Sequence, residues 1–262
     1  MSAVGPLLSE YRKQSRLSQL DLSLLADVSS RHISFIETGK SQPSRSMLLR
    51  LADVMDLPLD ESNLLLHSGG YAAAFSQLDM SSEAMRPVQE ALALTLENHN
   101  PYPAIVVDGA WNLLMANQSQ QLLSARIVGR RPDSSPINLM EAVFREDLFR
   151  PHIGNWDKIA SQLLRRLRKQ VVAYNKAEHE TLYRHLLELS PPENWQQPES
   201  PDWDGPMLTV DFIMGDLTLS LFSTLSQFGT ALDVGMEGLL IESYFPADES
   251  TREFFETLAQ QM

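Results

Sequence analysis

The first 70 residues alternate short apolar clusters with polar turns, at the spacing of amphipathic helices. Two of these helices are joined closely in the stretch 18–40. The positions expected to form their buried stripes are Leu20, Leu24, Leu25 and Val28 in the first helix and Ile33 and Ile36 in the second. The pattern therefore predicts a pair of short helices separated by a tight turn.

Polar residues mark the ends of this pair. Ser18 and Ser29 stand where a hydroxyl can accept a hydrogen bond from the first helical turn, so each is predicted to cap a helix. Ala26 is small enough for the helices to approach closely, and Asp27 tolerates a left-handed backbone better than most residues. The sequence thus predicts that the chain turns sharply at Asp27.

Three more helices complete the region. They are predicted over residues 6–14 or 7–14, 44–55 and 59–67. Ser44 is the expected cap of the fourth helix, and Gly69 and Gly70 end the fifth. We therefore expect an all-α domain of five helices over residues 1–70, followed by a linker over 71–84.

Residues 85–262 combine helical patterns with short runs typical of strands. Strands are predicted over 104–108, 112–117, 207–214, 217–224 and 238–244. The clearest helices are predicted over 82–97, 155–174 and 250–259. Turn residues at 109–111 and 215–216 favour two hairpins. The second domain is therefore expected to be α+β, with a five-stranded antiparallel sheet whose apolar face is covered by helices.

Composition narrows the class of protein. With 262 residues, 43% of them hydrophobic, the chain is long enough for two domains with sizeable cores. It contains no cysteine, which excludes disulfides, thiolate metal ligands and cysteine nucleophiles. There is no run of 18 apolar residues and no charged-then-apolar leader, so we expect a cytoplasmic protein without a membrane partner.

The net charge of -13 is distributed unevenly. Residues 1–70 hold seven basic and eight acidic residues, whereas residues 185–262 hold one basic and fourteen acidic residues. Charge effects are screened beyond about 10 Å at moderate salt, so a local cluster of cations in the first domain can still bind a polyanion. The acidic C-terminal segment is expected to lie away from such a partner.

The second helix of the close pair presents hydrogen-bond donors opposite its apolar stripe. These donors are Ser30, Arg31, His32 and Ser34. Polar donors on the first turns of a helix are suited to the base edges of the DNA major groove. The pattern indicates a helix-turn-helix that binds DNA.

This stretch resembles the XRE/Cro/lambda-repressor family of regulators. The matching residues are Gln19, Val28-Ser29, Ile33-Ser34-Phe35-Ile36-Glu37, Gly39 and Lys40. The chain departs from the family pattern at Ser23, where Ala is common, and at Asp27, where Gly is common. The resemblance implies a lambda-repressor-like first domain.

The residues expected to contact DNA are Gln19, Ser29, Ser30, Arg31, His32, Ser34, Lys40 and Arg45. Arg31 and His32 are the expected base or phosphate contacts, whereas Gln19, Lys40 and Arg45 are assigned to phosphates.

Four ordered segments of the second domain resemble the MmyB-type ligand-binding domain found behind XRE helix-turn-helices in bacterial regulators. They lie at 103–117, 149–156, 221–234 and 241–251. The resemblance implies a PAS-like sensor domain over residues 85–262, with a fatty-acid-like or similar small apolar ligand. No other cofactor and no metal is expected.

The expected ligand pocket rests on apolar residues of elements that should face one another. They are Trp111, Met115, Met140, Phe144, Trp156, Leu163, Leu167, Phe222 and Phe228. The alternative for each of them is an ordinary packed core. Asn117, Asn155 and Arg150 are candidates for the polar part of the pocket, or else for ties between loops.

These inferences predict a sequence-specific transcription regulator that binds a near-palindromic operator as a homodimer and responds to a small apolar ligand. The alternative is a constitutive dimeric repressor whose second domain only dimerises. An enzyme is not expected, because the histidines lack metal-ligand spacing and no nucleophile or phosphate-binding motif is present. The basic run 165–169 is expected to be the solvated face of a helix, which could pair with the acidic C-terminal segment across a domain or dimer contact; the alternative is a second contact with DNA. Residues 228–233 are expected to form a turn between strands.

Overall fold

The computed structural model describes residues 4–129, 137–174, 176–197, 207–229 and 231–260. The chain forms two compact units. The helical unit comprises residues up to Met85 together with Phe228–Gly238, and the sheet unit comprises Arg86–Gln227 and Leu239 onward. Residues 228–238, which the sequence analysis places in the second domain, thus group with the first.

The helical unit is built around five helices. They are α1 (Val4–Gln14), α2 (Gln19–Leu25), α3 (Ser30–Glu37), α4 (Arg45–Val54) and α5 (Leu59–Ser68). Their shared core is closed by Leu8, Ile33, Leu48 and Leu65, none of which is exposed. Gly5 allows α1 to approach α3 closely, because a Cβ at that position would lie 2.5 Å from the Glu37 carbonyl oxygen. The five predicted helices are confirmed.

The predicted helix ends are also confirmed. The hydroxyls of Ser18, Ser29 and Ser44 each accept a first-turn amide hydrogen bond, and Ser18 forms a reciprocal capping box with Asp21. Asp27 adopts a left-handed φ of 52° in the turn between α2 and α3. These ends depend on contacts within a few residues, which is why the sequence pattern identifies them.

The predicted buried face of α2 is wrong at three of its four positions, because among them only Val28 packs against the core. Leu20, Leu24 and Leu25 are 58%, 72% and 59% exposed, whereas Leu22 and Ala26 are buried. Two apolar stripes compete on this seven-residue helix, because both sets of residues recur at helical spacing. Packing against α3 and α4 selects the stripe that contains Leu22 and leaves the three leucines on the surface.

The sheet unit contains five strands and six helices among its described residues. The strands are β1 (Ala104–Val107), β2 (Leu113–Ala116), β3 (Val210–Met214), β4 (Leu217–Ser226) and β5 (Leu240–Pro246). The helices are α6 (Arg86–Asn98), α7 (Gln118–Val128), α8 (Leu139–Phe144), α9 (Trp156–Tyr174), α10 (Ala177–Glu188) and α12 (Glu249–Ala259), while the short α11 (Val234–Glu237) belongs to the helical unit.

The five strands form one antiparallel sheet in the order β2-β1-β5-β4-β3. The two predicted hairpins, β1 with β2 and β3 with β4, are confirmed at its edges. β5 lies in the centre, where Ile105 of β1 pairs with Glu242 and Leu225 of β4 pairs with the same residue from the other side. The predicted five-stranded antiparallel α+β architecture is therefore confirmed.

Two apolar clusters cover the sheet. One contains Ile105 and Val107 of β1, packed with α8, α9 and α10. The other joins Leu219 and Leu221 of β4 to α7 and α12 around Phe255. None of the helices within the described ranges is both long and apolar enough to cross a membrane.

Candidate functional site

The N-terminal half of α3 presents its polar side chains to solvent. Ser30 and Arg31 are exposed and His32 and Ser34 are half-buried, while Ile33 on the opposite face is fully buried. Because Ile33 anchors the helix from behind, the donors project from a rigid element. This arrangement matches the polar face expected of a helix that enters the major groove.

Phe35 organises the cations around α3. The guanidinium carbon of Arg31 lies 5.1 Å from the centre of the Phe35 ring, and the Lys40 ammonium lies 5.7 Å from it. Cation–π attraction thus holds both cations beside the polar face of α3. Phe35 is not among the residues predicted to contact DNA; its spacing of four residues from Arg31 on a helix is the signal that indicates its contact with that cation.

A buried ion pair supports α3 from behind. Arg12 of α1 donates to both carboxylate oxygens of Glu37, with Nε 2.6 Å from Oε1 and Nη2 3.0 Å from Oε2. Gln19 donates its side-chain amide to Oε2 of the same carboxylate, at 2.8 Å. Gln19 therefore joins α2 to α3, and its contact with a phosphate stays a prediction. Lys40 and Arg45 are exposed, as a phosphate contact requires.

A cavity of about 920 Å³ lies in the sheet unit, between β1, β2, α7 and α8. Its apolar walls include Ile105, Leu113, Leu122, Ala125, Val128 and Phe149. Polar side chains also line it, among them Gln118, Gln121, Asn138, Glu141, Arg145 and Asp147. The lining is therefore mixed, and a cavity of this size that combines apolar walls with polar groups can hold a small molecule.

Arg145 supplies the cation among the described residues that line this cavity. Its guanidinium donates to both oxygens of Asp147, at 2.8 and 2.6 Å, and to Glu141 at 3.3 Å. The hydrogen bonds to Asp147 raise the pKa of Arg145 above its ordinary value, so it stays charged. A carboxylate ligand would compete with Asp147 for this guanidinium.

The nine apolar residues predicted for a pocket are placed differently. Trp111, Met140, Phe144, Trp156, Leu163 and Leu167 share the core between the sheet and α8, α9 and α10. Phe222 stacks on Phe245 with ring centres 5.4 Å apart, Met115 lies on β2, and Phe228 groups with the helical unit. None of the nine is among the described residues that line the 920 Å³ cavity. Their contact with a ligand stays a prediction.

Three of the residues predicted for the pocket, Trp156, Leu163 and Leu167, lie on α9. In the structure α9 packs these residues against the sheet and α10, and the shorter α7 lines the cavity instead. Alternating Gln and small residues on α7 are the sequence signal for such a wall, since they leave space that large apolar residues would fill.

The three polar candidates all tie backbone segments together. Asn117 accepts from the amide of Ala104 at 3.0 Å, and Asn155 bonds to the backbone of Thr209 and Asp211. Arg150 lies over the Trp156 ring, 3.9 Å from its centre, and donates to the Leu189 carbonyl at 3.1 Å. Among the described residues, no group of His, Asp and Glu could hold a metal ion.

The basic run on α9 is not simply a solvated face. Arg165 donates to the carbonyls of Trp195 and Gln197 at 3.1 and 3.2 Å, and Arg168 lies over the Trp195 ring. The prediction for residues 165–169 is therefore wrong in part, because the flat guanidinium groups pack on aromatic rings and cap carbonyls.

Arg166 belongs to a polar cluster between α9 and the sheet. It lies over the Trp111 ring, 4.4 Å from its centre, and burial lowers its pKa against the opposing charge of Glu242. Burial raises the pKa of Glu242, although hydrogen bonds from Ser223 and Tyr244 and the charge of Arg166 act in the other direction. The cluster holds β4, β5 and α9 together through polar contacts.

Comparison with known families agrees with both parts of this geometry. Residues 8–62 match a helix-turn-helix family, and residues 88–258 match the MmyB-like transcription regulator ligand binding domain. The chain belongs to the MmyB-like transcription regulators. The predicted resemblance is thus confirmed over residues 8–62 and over residues 88–258. A search of curated proteins finds no match.

As an MmyB-like regulator, the chain is a ligand-responsive DNA-binding transcription regulator. The helix-turn-helix match contains α3 with Arg31 and His32, and the ligand-domain match contains every described wall of the 920 Å³ cavity. Both matched families describe regulatory modules rather than enzymes.

Proposed function

We propose that this MmyB-like regulator binds a fatty-acid-like molecule in the cavity between β1, β2, α7 and α8, and that this ligand sets the affinity of a homodimer for a near-palindromic operator. The cavity carries the proposal, because about 920 Å³ lies within the usual range for small-molecule sites and eleven of the nineteen described residues that line it are apolar. A long acyl chain is flexible enough to follow such walls.

Polar groups on the same cavity suit an acyl head group. Gln118 offers an amide group, and Arg145 offers a charged fork that already binds the carboxylate of Asp147. A ligand carboxylate that replaced Asp147 would preserve two charge-assisted hydrogen bonds. The ligand changes operator affinity only to the extent that it binds the two states of the protein unequally.

The dimer is proposed from the geometry of the reader helix. One α3 offers few base contacts, whereas two copies about 34–36 Å apart would reach successive major grooves of one operator. The test of this part is light scattering after size exclusion, with and without an operator selected from a random DNA library. A complex that contains one chain per operator would contradict it.

The ligand proposal is tested by denaturing the natively purified protein and identifying the released small molecules by mass spectrometry. We expect acyl compounds in near-stoichiometric amount. Tetradecanoic acid should raise the melting temperature of stripped protein, because it binds the folded state alone. If the folded protein, freed of bound small molecules, shows no change in melting temperature with acyl chains of any length, the constitutive dimeric repressor is favoured instead.

A further inference from the structure

The short stretch between the last two strands is held by the helical unit. Asp233 accepts hydrogen bonds from the Ser76 hydroxyl at 2.6 Å and from the Leu78 amide at 3.0 Å, and the Val234 amide donates to the Ser76 carbonyl at 2.9 Å. Asp233 is 5% exposed, so these bonds are shielded from water. Residues 228–233 were predicted to be a turn between strands. The described residues of this stretch do connect β4 to β5, and Asp233 in addition fastens the stretch to residues 76–78.

A second carboxylate fastens the same stretch to α5. The first helical residue, Leu59, donates its amide to Oε2 of Glu237 at 2.9 Å. The N-cap of α5 is Pro58, which has no side chain that could accept this bond. Glu237 therefore supplies from 178 residues away the capping acceptor that local sequence normally provides.

The stretch is continuous with the centre of the sheet. β4 ends at Ser226 and β5 begins at Leu240, so Ala231–Gly238 lies between two central strands. The first residues of β5 pair directly with β1 through Val107 and Leu240 and through Ile105 and Glu242. Ile105 is in turn a wall of the 920 Å³ cavity. A chain of covalent bonds and ladder hydrogen bonds thus runs from the cavity to Asp233.

We propose that residues 231–238 form a strap that transmits the ligand state of the sheet to the DNA-binding helices, with Asp233 and Glu237 as its two attachment points. This inference rests on the proposed function and specifies how it is regulated. A ligand that shifts β1 shifts its partner β5, and the strap passes the shift to residues 76–78 and to the start of α5. Both attachments are carboxylates that accept hydrogen bonds from backbone amides. Such a bond is either formed or broken, so a small displacement of the strap can switch it.

Hydrogen exchange without any ligand tests the strap itself. Asp233→Asn should speed amide exchange about tenfold at both ends of the strap, in 59–66 of α5 and in 240–243 of β5, because losing one charge-assisted bond favours local opening by that factor. Ser76→Ala removes one donor and should give a smaller effect of the same pattern. The matched control is Asp216→Asn, which removes an exposed carboxylate from the turn between β3 and β4. Faster exchange confined to 76–78 and the strap would overturn the proposal.

A second measurement tests transmission. Operator affinity is titrated with and without tetradecanoic acid for the wild type, Asp233→Asn and Asp216→Asn. We expect Asp233→Asn to bind tetradecanoic acid normally. The change in operator affinity that tetradecanoic acid causes should fall by at least about two-thirds in Asp233→Asn and should be unaltered in Asp216→Asn. An undiminished effect in Asp233→Asn overturns the strap. If acyl chains do not change the operator affinity of the wild type, the proposed function is wrong. The hydrogen-exchange pattern then remains as the test of whether the strap couples the sheet to α5.

Discussion

Arg12 and Glu37, 25 residues apart in sequence, form a two-pronged buried ion pair that joins α1 to α3. Their side chains are only 10% and 6% exposed. The hydrogen bond to Glu37 raises the pKa of Arg12, so the guanidinium remains charged whenever the unit is folded. The orientation of the DNA-binding helix thus depends on a charge pair that water reaches only at its edge.

Removing one member of this pair should destabilise the helical unit strongly. Arg12→Met leaves the Glu37 carboxylate buried with only the neutral donors Gln19 and Ser9 among the side chains described around it, and we expect a loss of about 3–5 kcal/mol in the free energy of unfolding. Urea denaturation followed by circular dichroism measures it. Lys13→Met, at an exposed neighbouring position, is the control. A loss below about 1 kcal/mol would show that the pair is weaker than its burial implies.

The same carboxylate should make stability depend on pH. Burial alone would raise the pKa of Glu37, but hydrogen bonds from Arg12 and Gln19 and the charge of Arg12 lower it below its usual 4.5. The folded state therefore binds the proton more weakly than the unfolded state. The stability that the ionised Glu37 contributes is complete above about pH 4.5. It is lost as the pH falls through the pKa that Glu37 has in the folded state. Glu37→Gln should flatten this acid limb in unfolding curves; an unchanged limb would assign it to other carboxylates.

Arg31→Ala should weaken specific operator binding by about 1–3 kcal/mol, because Arg31 is the most exposed donor fork on the polar face of α3. Binding of tetradecanoic acid should not change. Gel shifts with the selected operator and with a scrambled duplex measure the loss of sequence-specific affinity and the loss of non-specific DNA affinity separately. Lys158→Ala, which removes an exposed cation of the sheet unit, is the matched control. Normal operator binding by Arg31→Ala would exclude α3 as the reader.

Filling the cavity should exclude the ligand. Ala125 of α7 is half-buried and lines the cavity, so Ala125→Phe places a ring in the space assigned to the acyl chain. We expect calorimetry to show at least a tenfold lower affinity for tetradecanoic acid. The free energy of unfolding should fall by no more than about 1–3 kcal/mol. Ala93→Phe on the exposed side of α6 is the control. Full binding by Ala125→Phe would place the ligand elsewhere.

Asp27 offers a test of backbone strain. Its φ of 52° is costly for a residue with a Cβ, by about 1–2 kcal/mol, and glycine avoids this cost. Asp27→Gly should therefore leave the helical unit equally or more stable, whereas Asp27→Val should lower its free energy of unfolding by more than 1 kcal/mol (about the cost of left-handed backbone). Thermal unfolding compares the two. A more stable Asp27→Val would contradict the left-handed turn.

The sequence predicted the parts of this protein that depend on near neighbours. Ser18, Ser29 and Ser44 bond to amides three residues away, and the two hairpins follow from turn residues between short strands. The XRE and MmyB-type motifs added the domain families, because their residues stand at fixed spacing. Such local signals do not depend on how the rest of the chain packs.

The placement of the site depended on distant partners. A periodic pattern shows that a helix has an apolar stripe, but α2 had two stripes, and only contact with α3 and α4 buried Leu22 rather than Leu24. The cavity likewise lies beside α7 because α9 is already packed against the sheet.

By itself, then, the sequence determined the helices, the strands, their caps and the two families, since these are properties of residues within a few positions of one another. Only the tertiary structure decided that Arg12 meets Glu37 and that Asp233 meets Ser76, 157 residues away. The physical reason is that hydrogen bonds and burial act over a few ångströms in space, and the chain's topology determines which distant residues come that close.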